Sequence, residues 1–305
     1  MDAIERKLLE EIADLHTIPS GAYNIRSNGG VAGRNTTANI DIITKEDKSG
    51  IDICIKAGTK NESVHIPVII SQSGITENVL NDFYVGEDCD VTIVAGCGIH
   101  NSGCDNSEHD GIHTFHIGKN SKVRYTEKHY GDGDGNGTRI MNPTTVIYLA
   151  EGSHLEMTTT QIKGIDSTKR ITKAVVEDGA TLVIREKIMT HGSQYAETDF
   201  TVDLNGANSG ADVVSRSVAK DKSKQLFLSR INGNNMCTGH TECDAIIMDD
   251  ATVSAVPELT ANHVEANLIH EAAIGKIAGE QLIKLMTLGL TEEEAEAEIV
   301  NGFLK

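Results

Sequence analysis

The sequence predicts a mainly β chain wound as a solenoid, with a helix before it and a helical segment after it. Three observations carry that reading. From residue 39 to residue 270, apolar residues alternate with polar ones in short runs broken by Gly, Asp and Asn, the period of strands with one covered face. A phrase of apolar residue, polar turn and alternating strand recurs as V-G-E-D-C-D-V-T-I-V (85–94), I-G-K-N-S-K-V-R-Y-T (117–126), L-A-E-G-S-H-L-E-M-T (149–158) and V-E-D-G-A-T-L-V-I-R (176–185), at steps of 32, 32 and 27 residues. Repeats of that length mark rungs, each covering the apolar face of the one before. Aromatics are 4% of the chain, with no Trp against 29 Gly, so Val, Ile and Leu must fill the core. Stacked strand layers accept such residues at little cost in rotamer freedom. An antiparallel sandwich also spaces short strands regularly, but the near-constant step favours the solenoid.

The elements follow in order. Asp2 to His16 reads as a helix, because Ile4, Leu8, Ile12 and Leu15 share one face and charges occupy the other; Pro19-Ser20-Gly21 ends it. The period then changes to two at Ile40 and Ile42, at Ile51, Ile53 and Ile55, and at Val64, Ile66 and Val68. M-D-D-A-T-V-S-A (248–255) is a shorter echo of the phrase. The tract Gly131 to Gly137 resembles a calcium loop, but a single copy reads as a flexible turn. Gly279 to Met286 is helical, with Gly289 placed to cap it, and Thr291 to Glu294 is a capping box opening a second helix through Ile299. The predicted organisation is residues 1–38 as helix and lead-in, 39–270 as the β body and 271–305 as C-terminal helices.

The 305 residues carry a formal charge of −18 and a pI near 5.0, which excludes nucleic acid and anionic membrane as main partners by repulsion. No run approaches the roughly 20 apolar residues of a membrane span, and Met1 to Lys7 lacks a signal peptide's apolar core. The expected compartment is the cytoplasm. Six cysteines without a C-x-x-C pair fit free thiols or metal ligands there.

Two constellations could carry chemistry. Residues 97–116 hold Cys97, His100, Cys104, His109, His113 and His116, at spacings that match no zinc finger or protease. They read as a long loop between rungs, with His113 or His116 hydrogen-bonded inside. The second constellation is Cys237 to Asp244, which includes His240, Glu242 and Cys243, followed by His263 and the pair His270-Glu271. A thiolate suits iron and sulfide, and imidazole or carboxylate can complete the shell. On composition alone, Cys243 reads rather as a small buried hydrophobe and His270 as a satisfied polar residue. No G-x-S-x-G elbow, P-loop or dinucleotide fingerprint is present. A carbohydrate-active solenoid enzyme is the rival reading, with Asp residues as acids, though the chain lacks the Trp such grooves use.

H-T-E-C-D-A-I-I-M-D-D-A-T-V-S-A-V-P-E-L-T-A (240–261), I-H-E-A-A-I-G-K-I-A-G-E-Q-L (269–282) and G-L-T-E-E-E-A-E-A-E-I-V-N-G-F (289–303) closely resemble the SufB/SufD family of iron–sulfur cluster assembly proteins. The likeness weakens upstream, where Gly96-Cys97 and His113 continue it, and the chain reads as a short form of the family. The resemblance implies a right-handed parallel β-helix core, C-terminal helices that dock a SufC-like ABC ATPase, and core proteins paired through their β-helices with a transient iron–sulfur cluster at the junction. It places the family's ligand cysteine on Cys243, the SufB-type glutamate on Glu271 and the SufD-type histidine on His270. One chain carrying all three implies a homodimeric scaffold rather than an enzyme; a non-assembling relative that only binds the ATPase is the alternative. Two departures stand out. Ile269 replaces a further SufB-type glutamate, and residues 55–71 hold no match to the cysteine that accepts sulfur from a donor protein. Cys237 and Cys97 are then the candidates for sulfur entry, and with His113 they are the weaker metal-ligand candidates.

Overall fold

The computed structural model describes residues 2–17, 19–47 and 49–305. Helix α1 (Ala3–Ala13) opens the chain, and Asp2 and Glu5 form the capping box that starts it. Two long sheets then face each other across a shared core. The first contains β1 (Ala22–Ser27), β2 (Gly30–Asn35), β5 (Lys60–Ile70), β7 (Asp90–His100), β9 (Lys122–Asp132), β12 (His154–Lys163), β14 (Thr181–Thr190), β16 (Ser209–Ala219), β18 (Cys237–Ile247) and β20 (Asn267–Gly275). The second contains β3 (Ile40–Thr44), β4 (Gly50–Ile55), β6 (Thr76–Val85), β8 (Ser107–Ile117), β10 (Arg139–Met141), β11 (Thr144–Leu149), β13 (Ser167–Val176), β15 (Tyr195–Leu204), β17 (Lys224–Gly233) and β19 (Thr252–Ala261). From β5 onward the chain alternates between sheets, with β10 and β11 both in the second, and every strand pairing is parallel, giving a β-solenoid of about eight turns. Helices α2 (Gly279–Thr287) and α3 (Glu292–Phe303) follow. Strands begin at Ala22, within the segment expected to be lead-in, and β20 runs past residue 270 to Gly275.

The pairing register explains the repeated phrase. Asp90 pairs with Lys122, Lys122 with His154 and His154 with Thr181, steps of 32, 32 and 27. At the corner before each of these strands, one residue takes a left-handed conformation: Asp88 (φ 55°), Asn120 (φ 58°), Gly152 (φ 66°) and Gly179 (φ 61°). Gly, Asn and Asp reach that region most cheaply. Each corner N–H donates to the next corner, as from Asp88 to the Lys119 carbonyl (2.9 Å) and from Asn120 to that of Glu151 (3.1 Å).

Alternate side chains point into the bore, and a column of Val91, Val123, Leu155 and Leu182 is buried along it. Gly96 and Gly98 face the other way, where α1 lies on the sheet. A Cβ at Gly96 would sit 2.8 Å from the Ile12 carbonyl oxygen, and one at Gly98 3.1 Å from the Leu8 Cβ, so only glycine admits Leu8 and Ile12 at this depth. Residues 97–116 are not a long loop but the end of β7, a short turn and nearly all of β8. His116 points outward, stacked between Tyr84 and Tyr148 with ring centroids 5.0 and 5.2 Å apart. The glycine tract at 131–137 stacks on the turn below it, donating from Gly135 and Gly137 to the carbonyls of Asn101 (3.1 Å) and Gly103 (3.0 Å).

The two ends differ. At the N-terminal end, each sheet finishes in an antiparallel pair, β1–β2 and β3–β4, with β2 and β3 as its edge strands. At the C-terminal end, β19 and β20 are the last strands of their sheets and pair on one side only. Val256, Leu259, Ile269 and Ile274 on these strands are exposed.

Candidate metal centre

The register of β18 with β20 decides which predicted residues meet. Thr241 pairs with His270, Glu242 with Glu271 and Cys243 with Ala272. Because strand side chains alternate, Cys243 and His270 share the inner face as diagonal neighbours, while Glu271 points outward with His240 and Glu242. The three residues expected at one site therefore lie on two faces of the same strand pair.

Cys243 is 1% exposed. Burial, with the Glu186 and Asp244 carboxylates adding to it, pushes its thiol up to about 12, so the group is neutral at physiological pH. Its position is set by a column that crosses the first sheet along the bore: Glu127, Thr159, Glu186, Ser215 and Cys243 pair in succession. This side of the bore is polar, and its charged members are paired, while the Thr159 hydroxyl is buried without a hydrogen-bond partner. Arg170, from the second sheet, places Nη1 2.5 Å from Glu127 Oε2 and Nε 3.6 Å from Glu186 Oε1. Burial would raise Glu127, but the Arg170 guanidinium and His129 beside it hold its carboxyl well below the usual range. Glu186 is pushed up by burial despite Arg170, and accepts from Ser215 Oγ (2.7 Å) and Thr198 Oγ1 (3.1 Å). Beyond Cys243 lies only Ala272, on the uncovered last rung. His270, on that rung, is lowered mainly by burial, and its Nδ1 is buried without a hydrogen-bond partner.

On the outer face, one ligand atom from each of His240, Glu242 and Glu271 lies within 4.8 Å of the others. His240 Nδ1 is 2.8 Å from Asp212 Oδ1, and its Nε2 is 3.9 Å from Glu271 Oε2. Arg185 pairs with the other oxygen of Asp212. Burial and the neighbouring Asp244 carboxylate push Glu242 up.

The weaker candidates lie elsewhere. Cys237 is on the same inner face as Cys243 but six residues back along β18, roughly 20 Å away, and belongs to the apolar core. Cys97 is five strand spacings from Cys243, roughly 24 Å. It pairs with His129, and both line a cavity of about 10 Å³ with His109, His113 and Glu127, room for about one water-sized occupant. His113 is hydrogen-bonded inside, 2.9 Å from the Tyr125 hydroxyl and 3.3 Å from Asn81. The sequence put His240, Glu242 and Glu271 in one constellation with Cys243 without separating them as a trio, and the Glu127–Arg170–Glu186 network was not singled out. An H-x-E spacing inside a strand, which puts His240 and Glu242 on one face, is the signal that could have found the trio.

Comparison with known proteins places these features in a family. Residues 71–303 match the family described as the SUF system FeS cluster assembly, SufBD core domain. An iron–sulfur cluster assembly SufBD family protein of Archaeoglobus fulgidus is 30% identical over 265 residues, covering 85% of this chain and 69% of the relative. One from Methanocaldococcus jannaschii is 28% identical over 263 residues, covering 85% and 82%. One from Methanothermobacter thermautotrophicus strain Winter is 28% identical over 243 residues, covering 78% and 57%. With the matched region spanning the solenoid from β6 and both C-terminal helices, the chain belongs to the SufBD family of iron–sulfur cluster assembly proteins.

Proposed function

We propose that the protein is a scaffold, working as a homodimer with a SufC-like ABC ATPase in the cytoplasm, on which a nascent iron–sulfur cluster is held at the junction of two solenoids. The observation that carries this reading is the placement of Cys243 and His270 on one inner face of the last two rungs of the first sheet, at the end of the solenoid that no further strand covers among the described residues. A two-fold pairing of that end would bring two copies of each together. Pro257 removes one donor from the β19 edge, whereas β20 contains no proline, so the first sheet offers the more complete edge for continuation between chains.

Cargo chemistry at Cys243 requires the thiol to be exposed. A thiol at about 12 that returns to its ordinary value of ~8.5 on opening gains about three orders of magnitude in thiolate fraction. ATP-driven closure of the ATPase pair, acting through α2 and α3, is the motion assigned to that opening. Helix α2 supports the docking role: it buries no residue, and Ile283 and Leu288 are 63% and 75% exposed. Helix α3 is anchored, with Val300 and Leu304 packed against Val218. Of the two cysteines considered for sulfur entry, Cys97 stands beside the polar side of the bore, and the reading favours it. A carbohydrate-active enzyme is not favoured by the family.

The test is anaerobic reconstitution with ferrous iron and sulfide in the presence of the ATPase and ATP, read by visible absorption and bound iron. Wild type is expected to form a cluster and Cys243→Ala to form none. Equal iron in both would remove Cys243 from the site and point to the Cys97, His109, His113 and His129 group. No iron in either would leave the non-assembling, ATPase-binding relative.

A further inference from the structure

The outer face of β18 and β20 has an electrostatic feature that the inner pair does not explain. Glu242 and Glu271 are direct cross-strand neighbours, an arrangement in which like charges repel unless a cation or a proton lies between them. The nearest guanidinium, Arg216, reaches Glu242 only at 4.0 Å. Asp212, Glu242, Asp244 and Glu271 crowd this face against Arg185 and Arg216, and Arg185 is already committed to Asp212. Lys187, in the adjoining groove, donates to the Lys305 carbonyl at 2.8 Å.

We propose that His240, Glu242 and Glu271 bind a divalent first-row transition ion on the outer face of the last two rungs, and that in the assembling protein this ion is ferrous iron awaiting incorporation. The choice of iron rests on the scaffold reading; the cation site itself does not. Their ligand atoms lie within 4.8 Å of one another, while neighbouring donors ~2.0–2.2 Å from one ion are roughly 3–3.6 Å apart, so side-chain movements of about 1–2 Å close the site. Asp212 accepts from His240 Nδ1 at 2.8 Å. This leaves Nε2 as the free donor atom facing Glu271, the carboxylate–histidine arrangement that orients metal ligands elsewhere. One imidazole and two carboxylates suit Fe²⁺, Mn²⁺, Co²⁺ or Zn²⁺ rather than Cu⁺. Three protein ligands also leave positions for water, as transfer of the ion requires. Glu242 adjoins Cys243 and Glu271 adjoins His270, so the ion is one strand's thickness from the inner pair.

The experiment uses the full-length, metal-free protein under anaerobic conditions, titrated with ferrous salt without sulfide, with Co²⁺ as a spectroscopic probe. Wild type is expected to bind one Fe²⁺ per chain, and His240→Ala and Glu242→Gln each to weaken binding at least about tenfold. The Co²⁺ complex should show d–d bands and no thiolate-to-metal charge transfer. Glu242→Gln keeps the side-chain shape, and unchanged far-UV circular dichroism and melting temperature exclude a folding defect. The proposal is overturned by no stoichiometric binding, by both variants binding as wild type, or by thiolate-to-metal charge transfer in the Co²⁺ complex. Adding sulfide, ATPase and ATP separates the two readings. A cluster in wild type with unaltered Fe²⁺ affinity in the variants sinks the outer site and leaves the scaffold. Fe²⁺ bound at the trio with no cluster formed leaves the site and sinks the scaffold.

Discussion

At the scale of the residue, Cys243 behaves as a buried acid. Its folded pKa of about 12 lies above the ordinary value, so the neutral thiol contributes stability that is fully present below about pH 8.5 and is lost as pH rises toward 12. Alkylation at pH 8 should modify the exposed Cys104 first and spare Cys243, with denaturant removing the difference; peptide mapping after iodoacetamide reads both sites. If ATPase and ATP open the junction, Cys243 becomes reactive in their presence alone. The sequence identified T-E-C-D and I-H-E as ligand-bearing stretches, but could not say that His270 and Glu271 face opposite ways relative to Cys243. That depends on the pairing of Thr241 with His270, a contact between residues 29 apart that no local pattern encodes.

At the scale of the element, the corners hold the rungs in step. Asn120 takes φ 58° between β8 and β9, so Asn120→Ala should cost about 1–2 kcal/mol in urea unfolding, while Asn120→Gly should be close to neutral. Equal losses in both would mean that the side chain, not the backbone, matters there. The corner was legible because polar turn residues recur at a fixed step, and the step survives as strand register. The turn between β7 and β8 was not legible. Histidines occupy both the bore and the outer face of β8, which blurs the apolar alternation that would reveal a strand. Helix α2 makes a separate prediction. Ile283→Glu should leave the melting temperature of the isolated chain unchanged, since nothing buries that side chain, and should abolish ATPase binding measured by calorimetry.

At the scale of the whole molecule, the solenoid is asymmetric. Antiparallel hairpins end both sheets at one pole, and parallel strands paired on one side only end them at the other. Repeat proteins protect their terminal rungs, because an open rung exposes both apolar surface and free backbone groups. In the homodimer proposed above, the second copy would meet the C-terminal pole. The repeat and the family were readable in the chain itself. The polar bore was not, because Glu127, Glu186 and Arg170 are distributed over three strands and look like surface charges in sequence. Native mass spectrometry of the anaerobically reconstituted protein tests the central claim most directly. The account predicts one cluster on a species containing two copies of this chain, absent in Cys243→Ala. A cluster carried by a single chain, or one retained without Cys243, would contradict it.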